Sequence, residues 1–184
     1  MLKFEFNTTT IMEKASVLRQ IMETRKSIFP KDYTQTEIPQ QLIEEVMHAA
    51  TLAPNHKRTQ PWRFKVYKGD QKQQLGKELQ EIYKSITPEL QFLQKKYDDI
   101  FEKISRANVV ITIVAEFSGL VPEWEEIAAT AMAVQNMYLT CTANHIGCYW
   151  SSPKLVDHLK DSLKIEENQK CLGLFYIGSL DRVV

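Results

Sequence analysis

The sequence lacks the short motifs that mark the most common catalytic classes. Its 184 residues contain no G-x-G-x-x-G or G-x-x-x-x-G-K-[ST] phosphate loop, no G-x-S-x-G nucleophile turn and no H-E-x-x-H zinc pair. Cysteine is scarce, and Cys141, Cys148 and Cys171 make an odd number without C-x-x-C spacing. We therefore expect neither a disulfide framework nor a metal site, and no catalytic side chain of these classes.

The chain also has no formal net charge at neutral pH. Lysine and arginine total 23, and aspartate and glutamate also total 23. This balance gives no overall field that would attract nucleic acid or an anionic membrane. No run approaches the roughly 18 apolar residues of a membrane span, and MLKFEFNTTT lacks the apolar stretch of a secretory signal. We expect a cytoplasmic protein without nucleic-acid or membrane partners.

The apolar residues of the chain follow two kinds of spacing, one typical of helices and one typical of strands. Residues 10–23 and 90–104 carry them at helical spacing, whereas residues 62–67 alternate as in a strand with one buried face. Residues 109–115 and 172–177 are continuously apolar, which is typical of central strands covered on both faces. Strands dispersed among helices predict an α+β or α/β layered fold. Repeats and linkers are absent, so residues 1–184 are expected to form one domain.

The long helical segment near residue 130 has an unusual composition. Residues 127–134 are small or apolar on almost every side. A helix that is apolar all round must be buried all round. In a chain of this length, a second subunit is a plausible source of the additional cover.

Three polar clusters lie at the ends of predicted elements, where rigid scaffolds commonly present functional loops. We name them the R-K-S segment (Arg25, Lys26 and Ser27), the H-K-R turn (Asn55 to Arg58) and the Y-W-S-S segment (Tyr149 to Ser152). The first offers two cations and a hydroxyl that suit a phosphate. Taken singly, each cluster favours a simpler interpretation: a basic helix end, a basic turn between prolines, and a helix start at Ser152.

Other polar residues receive structural interpretations. Glu123, Glu125 and Glu126 fall in the first turn of a predicted helix, where acidic residues interact favourably with its dipole. Met132, Met137 and Tyr138 belong to the buried part of the same helix and are expected in the core. Single histidines at helix ends receive no role.

Together and in this order, the clusters resemble the FMN-dependent nitroreductase family, in particular its minimal single-domain bacterial members. The resemblance rests on R-K-S after the first helix, A-P-N-H-K-x-x-Q-P-W-x-F at a helix-to-strand turn, and V-Q-N-M in the buried helix. It also rests on Y-W-S-S after Gly147 and on L-G-L-F-Y-I-G-S near the end. It implies a three-layer α+β fold with a mixed, largely antiparallel sheet flanked by helices, and a homodimer with its sites at the interface.

The resemblance also implies roles for individual residues. The R-K-S segment would bind the phosphate and ribityl oxygens of FMN, and Asn55 and His56 would lie close to the cofactor. Trp150 and Ser151 match the segment that contacts the flavin ring. Relatives commonly supply further basic residues after the last strand, and Arg182 is the candidate here.

The implied reaction is hydride transfer from NAD(P)H through FMN to a nitroaromatic, quinone or similar small acceptor in a ping-pong sequence. The cofactor carries this chemistry, so no catalytic side chain is expected. An enone reductase or dehydrogenase variant would share the fold. A flavin-binding sensor or storage protein with little turnover is an alternative, and a cofactor-free helical interaction protein is a weaker one.

Overall fold

The structure is a computed structural model that describes residues 8–181 of the chain, with side chains from residue 12 onward. The predicted site residue Arg182 therefore lies outside the described residues. Short 3-10 turns occupy Pro30–Asp32, His56–Arg58, Glu89–Gln91 and Lys154–His158. The main elements in chain order are α1 (Thr8–Thr24), α2 (Gln40–Thr51), β1 (Trp62–Tyr67), α3 (Gly69–Ile86), α4 (Gln94–Arg106), β2 (Val109–Glu116), α5 (Glu123–Ala143), β3 (Gly147–Ser151), α6 (Lys160–Leu163) and β4 (Gln169–Gly178).

The strands form one four-stranded sheet in the order β1-β2-β4-β3. Its two central strands are the segments with continuous apolar runs, because a central strand covered by helices buries both of its faces. The predicted α+β fold with helices around a sheet is confirmed. Where the prediction allowed for a mixed sheet, every strand pair in the described part of the chain is antiparallel.

Alternate residues of β2 contribute to two separate cores, one on each face of the sheet. Val109, Ile111 and Ile113 lie in the core that α2 and α5 cover. Val110 and Val114 lie in the core that α3 and α4 cover. The side-chain period of two along a strand thus produces three layers.

The helix α5 is buried on one side only within a single chain. The side that is buried carries residues of the core between the sheet, α2 and α5, namely Ala129, Ala133, Val134 and Met137. Met132 was also predicted to be a core residue, but it lies on the other side of the helix and is 41% exposed. The all-round cover expected for this helix is therefore not provided by the chain's own described residues.

The first helix, α1, packs on the rest of the chain only near its end. Its described side chains from residue 12 to residue 20 are all exposed, and Ile21 and Arg25 are the first that are partly buried. The predicted apolar stripe therefore faces outward, with Leu18 and Met22 each 51% exposed. Among the described residues, no helix combines the length and the apolar character needed to cross a membrane.

Candidate functional site

The R-K-S segment runs along the open edge of the sheet. Strand β3 is an edge strand, so alternate backbone groups face away from β4. The backbone N–H of Ile28 donates to the carbonyl oxygen of Cys148 at 2.9 Å. This bond fixes the residues after α1 beside β3, with Arg25 partly buried and Lys26 and Ser27 exposed.

The side chain of Tyr138 on α5 joins the R-K-S segment to the Y-W-S-S segment. Its hydroxyl accepts the backbone N–H of Trp150 at 2.7 Å and lies 3.3 Å from the hydroxyl oxygen of Ser27. The guanidinium carbon of Arg25 lies 5.3 Å from the centre of the Tyr138 ring, within the range of a cation–π contact. Three residues predicted for the site thus meet at one side chain.

The prediction that Tyr138 is a core residue is correct for its ring and misses its hydroxyl. The ring packs edge-on against Phe175 with the ring centres 5.0 Å apart, and the residue is 8% exposed. The available sequence signal was the phenol itself, because a buried tyrosine hydroxyl usually finds a hydrogen-bond partner. Burial raises the pKa of Tyr138, against smaller lowering effects of Ser27 and the Trp150 amide. The phenol is therefore protonated at neutral pH.

The indole of Trp150 is also fixed by a contact with β4. Its Nε1–H donates to the carbonyl oxygen of Leu172 at 3.2 Å. The next residue, Gly173, has φ +136°, and an added Cβ would overlap the Ser151 carbonyl oxygen and lie 2.7 Å from the indole nitrogen. Glycine at this position is therefore what allows the Y-W-S-S segment to lie close to β4.

The H-K-R turn adopts a strained backbone. Lys57 and Arg58 in the turn, and Gln60 just after it, have φ values of 51°, 56° and 45°. Residues other than glycine rarely adopt this backbone conformation. The side-chain oxygen of Asn55 accepts the Gln60 backbone N–H at 3.0 Å and closes the turn. Such strain persists only where surrounding contacts impose it.

Those contacts come from the first turn of α5 and from the loop that precedes it. The imidazole Nδ1 of His56 lies 2.7 Å from a carboxylate oxygen of Glu125, and Lys57 donates to the carbonyl oxygen of Leu120 at 2.9 Å. Glu125 therefore holds the turn as well as lying in the first turn of α5. Glu126 is buried and accepts the Ser118 backbone N–H at 3.0 Å, whereas its other carboxylate oxygen has no hydrogen-bond partner among the described residues. Both contacts are structural, and they add to the position in the first turn of α5 that the sequence predicted.

The two halves of the predicted site lie far apart within one chain. Glu125 beside the H-K-R turn and Tyr138 beside the R-K-S segment are both on α5. At 1.5 Å per residue their positions are separated by about 20 Å along the helix. A single chain therefore brings Arg25, Ser27 and Trp150 together and leaves Asn55 and His56 at the other end.

Most of the chain matches one protein family. Residues 22–179 match the model of the Nitroreductase family. This chain belongs to the nitroreductase family. The matched span contains every residue predicted for the site except Arg182, which follows it.

Two curated relatives of this nitroreductase-family chain are provisionally named NAD(P)H nitroreductases. YdjA of Escherichia coli K12 is 27% identical over 141 residues, covering 74% of this chain and 75% of YdjA. YfhC of Bacillus subtilis 168 is 25% identical over 178 residues, covering 94% of this chain and 89% of YfhC.

Solved structures of the same fold confirm the predicted architecture. A nitroreductase-like family protein from Bacillus cereus superposes with a TM-score of 0.74 at 21% identity, covering 90% of this chain and 86% of that one. The FMN-dependent nitroreductase NfnB from Mycobacterium smegmatis, solved in complex with NADPH, gives 0.73 at 16% identity, covering 91% and 89%. At these identities the likeness shows the nitroreductase-like fold alone.

Proposed function

We propose that this nitroreductase-family protein binds FMN and transfers a hydride from NAD(P)H to a nitroaromatic, quinone or similar small acceptor by a ping-pong sequence. The observation that supports this most is the meeting of Arg25, Ser27 and Trp150 at Tyr138. A cationic fork and a hydroxyl are thereby held beside an indole on one edge of the sheet. FMN, when bound, supplies the two-electron chemistry, so the protein requires no acid–base pair.

The donors of the R-K-S segment fit a phosphate ester. Arg25 presents a planar guanidinium suited to bidentate hydrogen bonds with phosphate, and Lys26 is an exposed point charge next to it. The exposed Ser27 hydroxyl supplies another group for a phosphate or ribityl oxygen. Among the described residues, no carboxylate pairs with Arg25.

The Y-W-S-S segment is proposed to contact the flavin ring through Trp150 and Ser151. Strand β3 and the Leu172 carbonyl fix the position of the indole before any ligand binds. A preorganised aromatic group loses little conformational freedom on binding a flat ring. Asn55 and His56 are proposed to approach the same flavin from a second chain.

A homodimer is proposed because one chain leaves both its site and its helices incomplete. The H-K-R turn and the R-K-S segment are separated by about 20 Å along α5. Helix α1 exposes Leu18 and Met22, and α5 exposes Met132. An isolated helix gains little stability without an apolar face packed against something. A second copy would cover these faces and supply its own H-K-R turn. We also propose that residues 1–184 form a single domain and that the protein is cytoplasmic.

The substitution Leu18→Glu is expected to disrupt the dimer. A buried leucine contributes about 1.5–3 kcal/mol, and a glutamate in its place would leave an unpaired charge at the interface. The dissociation constant should rise by about two orders of magnitude, as measured by sedimentation velocity over a range of concentrations. The matched control is Leu90→Glu, because Leu90 is a fully exposed leucine on a surface turn. Equal dimer dissociation in both variants, or a wild-type protein that is monomeric throughout, would contradict the proposed interface.

The proposed function predicts a visible flavin spectrum that responds to both substrates. The purified protein, supplied with FMN if needed, should lose its visible absorption under anaerobic NADPH or NADH and regain it when a quinone or nitroaromatic is added. Bound flavin that neither donor reduces would instead support the sensor or storage alternative. A protein that takes up no FMN would contradict the proposal altogether.

A further inference from the structure

We propose that Tyr138 is a positioning residue that directs the Ser27 hydroxyl toward a bound phosphate or ribityl oxygen and holds Arg25 and Trp150 around the same ligand. This proposal rests on the function proposed above and assigns a role to a residue outside the three polar clusters. The contacts of Tyr138 reach Ser27, which lies 111 positions earlier in the sequence.

The direction of hydrogen bonding follows from counting donors. The backbone N–H of Trp150 can only donate, so the Tyr138 oxygen accepts at 2.7 Å. The phenol then has one hydrogen left, and the Ser27 oxygen lies 3.3 Å away. If Ser27 donated instead, the phenol hydrogen would have no acceptor among the contacts of the described residues at a position 8% exposed. An unpaired buried donor is costly, so the arrangement in which the phenol donates to Ser27 is favoured.

This direction determines what Ser27 can offer a ligand. A serine hydroxyl that accepts from a neighbour keeps its own hydrogen free to donate. Ser27 is exposed, so that hydrogen can reach an oxygen atom of a bound anion. Because burial raises the pKa of Tyr138, the phenol keeps the hydrogen that this arrangement requires.

The ring of Tyr138 also positions Arg25. The guanidinium carbon lies 5.3 Å from the ring centre, a contact that restricts the long side chain and leaves its N–H groups available. The same phenol satisfies a backbone N–H on the outer edge of β3. One residue therefore couples the proposed phosphate contacts to the strand that carries Trp150.

The substitution Tyr138→Phe tests this role, because it keeps the ring and removes the hydroxyl. We expect FMN affinity of the apoprotein, measured by flavin fluorescence titration, to fall by about tenfold. The Trp150 amide should exchange with solvent faster in the apoprotein. The matched control is Tyr83→Phe, which removes a buried hydroxyl that accepts the Leu93 backbone N–H at 3.1 Å on the other face of the sheet. Comparable loss of stability with unchanged FMN affinity is expected there.

A double-mutant cycle separates positioning from general destabilisation. Ser27→Ala should weaken FMN binding by about tenfold in the wild type and by only about twofold in the Tyr138→Phe background, because the direction of the serine donor is then already lost. Additive effects of the two substitutions, or unchanged affinity in Tyr138→Phe, would overturn the proposal.

The readouts on apoprotein keep this inference distinct from the proposed function. If the wild type binds no FMN, the proposed function fails, and the same cycle is measured with inorganic phosphate by the amide chemical shifts of residues 25–28. Coupling between Ser27 and Tyr138 in phosphate binding would still support the positioning role. Additive effects there, together with unchanged Trp150 amide exchange, would overturn it independently.

Discussion

Replacing Arg25 by alanine is expected to weaken FMN binding by about 1.5–3 kcal/mol, which is about ten- to a hundredfold in affinity. The guanidinium is held over the Tyr138 ring with no carboxylate partner among the described residues. Its N–H groups are therefore available for charged oxygen atoms, and hydrogen bonds to charged groups lie at the strong end of the range in proteins. The measurement is fluorescence titration of apoprotein with FMN and with riboflavin, which lacks the phosphate.

Two controls make the Arg25 result specific. Arg106→Ala removes an arginine from an exposed pair with Glu102 on α4, and should leave FMN affinity unchanged. Arg25→Lys keeps the charge and loses the planar fork, so an intermediate affinity is expected. The loss in Arg25→Ala should be larger for FMN than for riboflavin. Equal losses for the two ligands would place Arg25 away from the phosphate, and no loss for either would return it to the role of a basic helix end.

The periodicity of apolar residues predicted the layers of this fold well. The alternating pattern of β1 places Trp62, Phe64 and Val66 against one core, as expected of a strand with one buried face. The unbroken apolar runs correctly predicted the two central strands. These predictions succeeded because burial on a strand depends mainly on the period of neighbouring residues.

Predictions failed where a distant residue decides the local structure. Helical spacing predicted a helix from Leu90, but α4 begins at Gln94, and Leu90 is fully exposed in a short 3-10 turn. The Leu93 backbone N–H donates to the hydroxyl of Tyr83 in α3. This contact supports an extended residue just before α4, and no window of neighbouring residues contains it.

In the candidate site, too, features that depend on neighbouring residues were predicted, and contacts between residues distant in sequence were not. Clusters of polar residues at element ends predicted which segments to consider, and two of those segments do meet. The residue that joins them, Tyr138, was not predicted because its contacts reach Ser27 and Trp150 from another element. Likewise, helix position correctly predicted Glu125 in the first turn of α5, but it could not predict the contact of its carboxylate with His56, 69 positions away.

Gly173→Ala is expected to destabilise the fold and displace the Y-W-S-S segment together. The added Cβ would overlap the Ser151 carbonyl oxygen and lie 2.7 Å from Trp150 Nε1, at a φ of +136° that an alanine rarely adopts. Overpacking and backbone strain each cost about 1–3 kcal/mol, so the free energy of unfolding should fall by about 3 kcal/mol. Urea unfolding followed by circular dichroism measures this loss.

The control Gly119→Ala separates strain from overlap. Gly119 has φ +71° with no atom within 4 Å of an added Cβ, so only the backbone term of about 1 kcal/mol applies. The indole N–H signal of Trp150 in a ¹⁵N correlation spectrum should shift in Gly173→Ala and stay unchanged in Gly119→Ala. Equal destabilisation in the two variants would show that β4 tolerates the added methyl group. In that case the close approach of β4 to Trp150 does not fix the indole, and the proposed preorganisation of the flavin-ring contact loses its structural basis.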